Sequence, residues 1–313
     1  MRQDVSAWGG DVAAVVVTHN RKSLLCRCLR NLEAQTTRPG KIFVVDNAST
    51  DGTNDALRRD GWLNRADFEY VRLNSNLGGA GGFASGVANA LERGFAWVWL
   101  MDDDAEPLPN ALSELVAVRG SSDAVYGSLA FDGDDTAWLT PLKEAGPKVV
   151  DRVDDVPDLA EVEALPFLGF LIHRDLIARI GLPDASLFIA ADDIEYCVRA
   201  QRAGARIFIA GKSRIRHPRS DRYTVNLPGR QLYCLRLPPW KRYYDTRNRL
   251  LIAREYYGYR LFTQTIPGSL VRLIGALAYE SDKGRQFWAF LAGFVDGLLG
   301  VRGNRHKWWG IAQ

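Results

Sequence analysis

The hydrophobic positions of the first hundred residues alternate between two periods. VAAVVVTHN (12–20) is a β-branched apolar run broken at Asn20, and KIFVVDNAS (41–49) is a second run ending in Asp46 and Asn47. Between them, SLLCRCLRNLEAQ (23–35) sets Leu24, Cys28 and Leu32 at the spacing of one helical face. DGTNDALRRDG (51–61) predicts a helix entered through polar caps, and EYVRLN (69–74) a third strand. GGFASGVANALERG (81–94) predicts a helix opened by glycines, and FAWVWLM (95–101) a fourth strand. Strands apolar on both faces, alternating with helices, belong to a mainly parallel sheet covered on both sides, so the fold class is α/β.

In such sheets ligands gather beyond the carboxyl ends of the strands. The polar clusters fall there: Thr18, His19, Asn20 and Arg21; Asp46 and Asn47; the loop NSNLGGAGG (74–82); and Asp102, Asp103 and Asp104. One such cluster alone reads as a capped turn, because Asn, Asp and Gly make turns for backbone reasons. Four on one edge point to a ligand crevice. The glycine loop fits neither GxGxxG nor the phosphate loop of nucleotidases, since no Lys follows. Gly78, Gly79, Gly81 and Gly82 still let backbone approach a ligand, ahead of a helix whose amino end favours anions. Three consecutive carboxylates at the end of a buried strand repel one another, and a divalent counter-cation would relieve them.

On VVVTHNR, VVDNASTDGT, NLGGAGGF, WLMDDDA and LFIAADDIEYCVRAQRAG, residues 11 to 220 resemble glycosyltransferase family 2, inverting enzymes of the GT-A fold. Within that family, NLGGAGGFASG, WVWLMDDDA, RHP and the RNR of YYDTRNRL are most similar to bacterial galactofuranosyltransferases of cell-wall galactan synthesis, which use UDP-galactofuranose. Rhamnosyltransferases using dTDP-rhamnose share much of the scaffold. The resemblance implies a GT-A domain over residues 1–235, with its nucleotide-sugar half at about 11–107 and its acceptor half at about 108–235. A helical region over 236–313 then docks acceptor and membrane.

The same resemblance implies a UDP-sugar donor, a lipid-linked glycan acceptor and Mn²⁺ or Mg²⁺. Asp102 and Asp104 match the family's DxD motif and, two apart on a strand end, point to one side. With them His217 of IRHPRSD is expected to complete a mixed oxygen and nitrogen set on the metal. Asp103 then points elsewhere, to the ribose or a structural donor. Thr18, Asn20, Arg21, Asp46, Asn76, Gly78, Gly79 and Gly82 are expected at the sugar nucleotide. In AADDIEYCVRAQRAG the general base is Asp193, with Asp192 as second choice, and Glu195 meets the acceptor sugar. Inversion needs a base on the face opposite the leaving nucleotide, hence from a segment other than the metal-binding acids. Without the family, Asp192 and Asp193 read as first-turn acids favoured by the helix dipole. Tyr243, Tyr244, Arg247, Asn248 and Arg249 are expected at a pyrophosphate or an acceptor lipid phosphate. Phe167, Leu168 and Gly169 are expected on the acceptor side, with Trp138 as a sugar-stacking platform. The stretch from about 120 to 165 is acidic and turn-rich without helix or strand periodicity, and reads as a variable insert.

Composition changes this picture mainly through charge. Residues 201–313 hold 21 Lys and Arg against 6 Asp and Glu, whereas residues 1–200 hold 19 against 31, so a net charge of +3 conceals a basic C-terminal third. Such a block faces an anionic membrane or a pyrophosphate, or only solubilises the chain. QFWAFLAGFVDGLLGV (286–301) sets Phe287, Leu291, Phe294 and Leu298 on one stripe, with Trp288, Val295 and Leu299 beside it; with basic and aromatic flanks it suits a bilayer interface or a packed surface. Four cysteines without zinc-type spacing fit a reducing compartment, and neither a signal segment nor a run of about 18 uninterrupted apolar residues is read. The expected place is cytoplasmic, at the inner face of the cell membrane, with peripheral membrane contact, no nucleic acid, and a homo-oligomer left open. Two other classes remain: a catalytically silent sugar-nucleotide-binding protein, which would not need both acidic clusters, and a nucleotidyltransferase, which would not explain the separate DDIE helix.

Overall fold

The computed structural model describes residues 9–143, 149–227 and 230–312. Residues 1–8, at the end read as lacking a signal segment, and residues 144–148 of the turn-rich stretch lie outside the described residues. The chain divides into two compact units, one of residues up to Pro183 with Tyr196–Arg219, the other of Asp184–Glu195 with Ser220–Gln313.

In the first unit β1 (Val12–Thr18), α1 (Lys22–Glu33), β2 (Lys41–Asp46), α2 (Thr53–Arg59), β3 (Phe68–Arg72), α3 (Gly78–Glu92) and β4 (Trp97–Asp102) alternate as the periodicity predicts. The strands lie parallel in the order β3-β2-β1-β4. The unbroken apolar run of β1 follows from its two faces. Ala13, Val15 and Val17 pack with Phe83 and Val87 of α3, while Val12, Ala14 and Val16 pack with Leu25, Leu29 and Leu32 of α1. Each fully buried Val or Leu contributes about 1.5–3 kcal/mol.

The remaining elements of this unit are β5 (Glu106–Pro107), α4 (Ala111–Val118), β6 (Ala124–Asp132), β7 (Asp135–Pro141), β8 (Val149–Arg152), β9 (Ala160–Glu161), β10 (Leu168–His173), α5 (Arg174–Ile180), most of α6 (Asp192–Arg202), and β11 (Arg206–Arg216). Among the described residues they extend the sheet to eleven strands. β10 is antiparallel to both β4 and β6, and β6 runs parallel to β11. The stretch read as aperiodic between 120 and 165 therefore carries strands. β7, β8 and β9 are attached at the periphery, where their registers shift or their length is two residues, so no two-residue alternation accumulates along the sequence.

The second unit holds the hairpin β12 (Arg222–Leu227) and β13 (Arg230–Leu235), then α7 (Pro239–Ile252), α8 (Ile266–Tyr279) and α9 (Lys283–Leu299). Between α7 and α8 the helical path widens into two π-turns, Ala253–Tyr257 and Leu261–Thr265. This unit also takes in Asp184–Glu195 and begins again at Ser220. The hairpin packs on α8, where a Cβ on Gly275 would stand 2.8 Å from Val225 and 2.9 Å from Tyr223. α9 approaches α7 more closely still: a Cβ on Gly293 would stand 2.3 Å from the Tyr243 carbonyl oxygen.

Candidate functional site

The register brings the strand ends together, with Thr18 of β1 opposite Asp46 and Val17 opposite Asp102. β4 ends at Asp102, the chain turns at Asp103 and Asp104, and the alternation of an extended strand stops there. Asp103 is buried; its Oδ2 accepts from Thr18 Oγ1 at 2.7 Å and its Oδ1 from Arg21 at 3.2 Å. The same guanidinium donates to Asp104 Oδ2 at 2.7 Å. Asp103 thus takes a structural donor rather than a ribose, and it is Asp103 and Asp104 that share a cation, Arg21. Burial pushes Asp103 up to about 6, against the Thr18 hydrogen bond and Arg21. Burial acts the same way on Asp104, but His217 and Arg21 outweigh it and hold the group at about 2.

His217 comes to this cluster from the far end of β11, its Nε2 3.5 Å from Asp104 Oδ1. Its Nδ1 lies 2.7 Å from the Pro218 carbonyl, which can only accept, so Nδ1 carries a proton and Nε2 is the nitrogen turned toward Asp104. Asp104 Oδ1 is itself buried without a hydrogen-bond donor. An imidazole nitrogen and an undonated carboxylate oxygen on one spot are groups that a divalent cation could take as ligands. Trp138 stacks on the His217 ring with centroids 4.8 Å apart, which fixes the imidazole; in this structure it is a platform for His217, not for a sugar. Asp102 is not gathered into the set: among the described residues no three His, Cys, Asp or Glu groups stand close enough to hold a metal.

The residues expected at the nucleotide divide in two. Asn20, exposed and at φ +54°, accepts from the Thr50 backbone N–H at 2.7 Å, and Gly79 is half-exposed at the start of α3. Asp46 is fully enclosed, accepting from the Ser49 N–H at 2.8 Å, from Tyr70 and, at 3.5 Å, from Arg72; it ties the β2 loop to β3 rather than offering itself to a ligand. Asn76 accepts from the Gly78 N–H at 2.8 Å and sets Gly78 at φ +74°. A Cβ on Gly82 would stand 2.4 Å from Val17, so this glycine serves the seating of α3 on β1. Phe167 and Leu168 are corrected likewise: both are buried, Phe167 against Phe83, Phe170 and Tyr196. A Cβ on Gly169, at φ +79°, would meet Ser128 at 2.4 Å.

In the second unit, Asp192 and Asp193 open α6 after a loop in which Phe188, Ala190 and Ala191 all have positive φ, between 60° and 69°. Non-glycine residues adopt this region at a cost of about 1–3 kcal/mol each and stay there only when neighbours hold them. Asn248 does so: its Nδ2 donates to the carbonyls of Leu187, Ile189 and Ala190 at 3.0, 2.9 and 2.7 Å. Arg247 donates to the carbonyls of Leu187 at 2.8 Å and Gly303 at 2.5 Å and to Asn248 Oδ1 at 2.9 Å. Both are fully buried, so the expectation that they meet a phosphate is replaced by a positioning role. Asp192 is buried, while Asp193 is partly exposed. Burial raises both above the usual carboxylate range; the charges of Asp193 and Glu195 raise Asp192 further, and Arg249 eases Asp193. Glu195 is buried and accepts from Tyr256 at 2.6 Å. Tyr256, Tyr70 and Arg72 had no signal in the sequence, since each is defined by a partner at least 24 positions away.

Comparison with known proteins bears on the family. Residues 13–177 match the model of "Glycosyl transferase family 2". The chain is 35% identical over 247 residues to the galactofuranosyltransferase GlfT1 of Mycobacterium tuberculosis, covering 76% of this chain and 80% of the relative. Its identity to the dTDP-rhamnosyl transferase RfbF of Shigella flexneri is 23%, over 94% and 97% of the two chains. Among solved structures, GalNAc-T7 with UDP, GalNAc and Mn²⁺ superposes with a TM-score of 0.60 at 17% identity, over 83% of this chain and 53% of the other. The mannosyltransferase PcManGT of Pyrobaculum calidifontis, with GDP-Man and Mn²⁺, gives 0.56 at 17% identity, over 93% and 87%. These structural likenesses carry the GT-A fold, and the sequence matches carry the family: the chain belongs to glycosyltransferase family 2 and is a glycosyltransferase.

Proposed function

We propose that the protein transfers galactofuranose, with inversion, from UDP-galactofuranose to a hydroxyl of a lipid-linked cell-surface polysaccharide at the inner face of the cell membrane. The observation that carries this reading is the identity to galactofuranosyltransferases over three quarters of the chain, together with the Asp104–His217 pair at the strand ends. Asp104 and His217 would hold Mn²⁺ or Mg²⁺, and Asp102, which stands outside that pair in this structure, would join them only by turning toward it. A bound divalent cation neutralises the charge that grows on the departing diphosphate. Thr18 holds Asp103, Arg21 holds Asp103 and Asp104 beside it, and Asn20 and Gly79 offer polar contacts to the nucleotide. Asp193 takes the proton from the acceptor hydroxyl. It is the better of the pair on two grounds: it is partly exposed, as a group touching substrate must be, and it gives up its proton before Asp192 does.

The test is a donor screen with the intact protein, UDP-galactofuranose against dTDP-rhamnose and other sugar nucleotides, with and without EDTA. Turnover of UDP-galactofuranose, lost in EDTA and restored by Mn²⁺ or Mg²⁺, is the expected result. Asp193→Asn should lower it by about 10²-fold or more, the scale of general-base loss. Preference for dTDP-rhamnose would replace the donor assignment, and full activity in EDTA would remove the cation.

A further inference from the structure

Within the second unit a cavity of about 370 Å³ opens between α7, β13, the second π-turn and α8. Leu232, Ile252, Pro267 and Val271 give it apolar walls, and Arg249 and Arg272 stand among them. The two guanidinium groups differ. Arg249 is paired with Asp245 at 2.9 Å, whereas among the described residues Arg272 has neither a hydrogen bond nor an ion pair. Burial and the like charge of Arg249 push the pKa of Arg272 below its ordinary value although Asp245 acts the other way, so that carboxylate, already bonded to Arg249, does not meet its charge in full. An anion entering the cavity would supply it, and a planar guanidinium takes two oxygens of a phosphate at once.

The surface beside the cavity narrows the kind of anion. Phe262, Leu270 and Ile274, spaced at four and eight residues along the π-turn and α8, are 67, 45 and 63% exposed. Leu261–Tyr279 is apolar enough, by length and composition, to pass for a bilayer-crossing helix, yet Arg272 and Gly268 sit on its cavity-lining face. An unpaired cation in an apolar cavity, on a helix that also shows an apolar stripe to the outside, matches an amphiphile with an anionic head.

We propose that this cavity binds the phosphate of a lipid-linked phosphate, with Arg272 and Arg249 taking its oxygens and the hydrocarbon chain lying along the exposed stripe of α8. The proposal rests on the lipid-linked acceptor of the preceding section and gives that acceptor its head-group site.

The experiment reads binding rather than transfer, so its outcome is separable from the donor assignment. Full-length protein is titrated with phosphatidylcholine vesicles carrying a few mole per cent of a polyprenyl diphosphate, and with vesicles carrying the same charge as phosphatidylglycerol. Binding to the diphosphate vesicles is expected to be at least tenfold tighter. Arg272→Gln should abolish that preference, with the melting temperature recorded to show that it folds. Thr263→Trp, which fills the cavity from its exposed rim, should do the same, and Phe262→Ser with Ile274→Ser should weaken binding to both kinds of vesicle alike. The proposal falls if Arg272→Gln or Thr263→Trp keeps the preference, or if the wild type shows none. It falls also if inorganic pyrophosphate in solution binds as tightly as the diphosphate vesicles, since the site would then be one for a soluble phosphate. If diphosphate binding holds while UDP-galactofuranose is not turned over, the donor assignment fails and the cavity assignment stands.

Discussion

Three backbone carbonyls, of Leu187, Ile189 and Ala190, converge on one side-chain nitrogen of Asn248. They belong to the strained loop that presents Asp192 and Asp193, so the amide holds the acidic pair by holding the backbone before it. Asn248→Ala would leave three buried carbonyls to find other donors. The expected result is a loss of about 1–3 kcal/mol in denaturant unfolding, with kcat down at least tenfold and the KM for the donor little changed. A fall in KM-dependent donor binding instead would return Asn248 to the ligand. The pair itself predicts a pH effect. Asp192 has a raised folded-state pKa, from burial and then from Asp193 and Glu195. Below the unfolded value of about 4 both states hold the proton and the burden vanishes. As pH rises above it the unfolded chain releases the proton first, so stability falls until pH passes the folded value of about 8. Asp192→Asn removes the charge and should raise the melting temperature relative to wild type at pH 8 but not near pH 4; equal shifts at both would mean that the effect is packing alone.

At the scale of elements, small residues decide where helices sit. α9 illustrates both of its faces. Ala289, Ala292 and Asp296 are buried against α7 and its surroundings, with Asp296 accepting from Tyr243 at 2.5 Å and from Trp309 at 3.0 Å. Phe287, Leu291, Leu298 and Leu299 are exposed. The aspartate that breaks the apolar pattern in the sequence is thus a buried anchor of the packed face, and the stripe read as interfacial is the other one. Gly293→Ala should push α9 away from α7 and cost about 1–3 kcal/mol, read as a lower denaturant midpoint. Gly284→Ala, in the same helix with open space around it, should be neutral or stabilise by up to about 1 kcal/mol. Equal effects of the two would show that helix propensity, not close approach, governs the packing. The alternation that predicted β1 to β4 and α1 to α3 is strong because each of these elements buries both or one full face in a continuous core. β7 to β9 escaped notice because they are peripheral, short or irregular in register.

At the scale of the whole molecule, the basic C-terminal third and the exposed apolar residues would meet a membrane in different ways. Charges attract over about 8 Å at physiological ionic strength and are screened beyond it; apolar burial is insensitive to salt. Binding to anionic vesicles should therefore drop several-fold as salt rises from about 0.05 to 0.5 M, leaving a remainder that Phe287→Ser with Leu299→Ser reduces without moving the melting temperature. A salt-independent titration would mean that the charge block serves solubility only.

The sequence by itself determined the sheet-forming half, the placing of the polar clusters on one edge, and the family, because these rest on local periodicity and on contiguous motifs such as WLMDDDA and DDIEYCVRAQRAG. It also named residues that the fold gathers at the strand ends, Thr18, Arg21, Asp103, Asp104 and His217. What each does was decided by tertiary structure. Whether Asp103 or Asp102 shares a partner with Asp104 depends on where β4 stops and on Arg21, more than eighty residues earlier. Arg247 and Asn248 read as ligand contacts until the carbonyls of residues 186–190, some sixty positions away, are brought against them. Arg272 is one of 21 basic residues of the C-terminal third, and only the walls of the cavity around it set it apart. A side chain's chemical type is written in the chain, but its burial and the partners that satisfy it are properties of segments distant in sequence, and only the folded arrangement sets them.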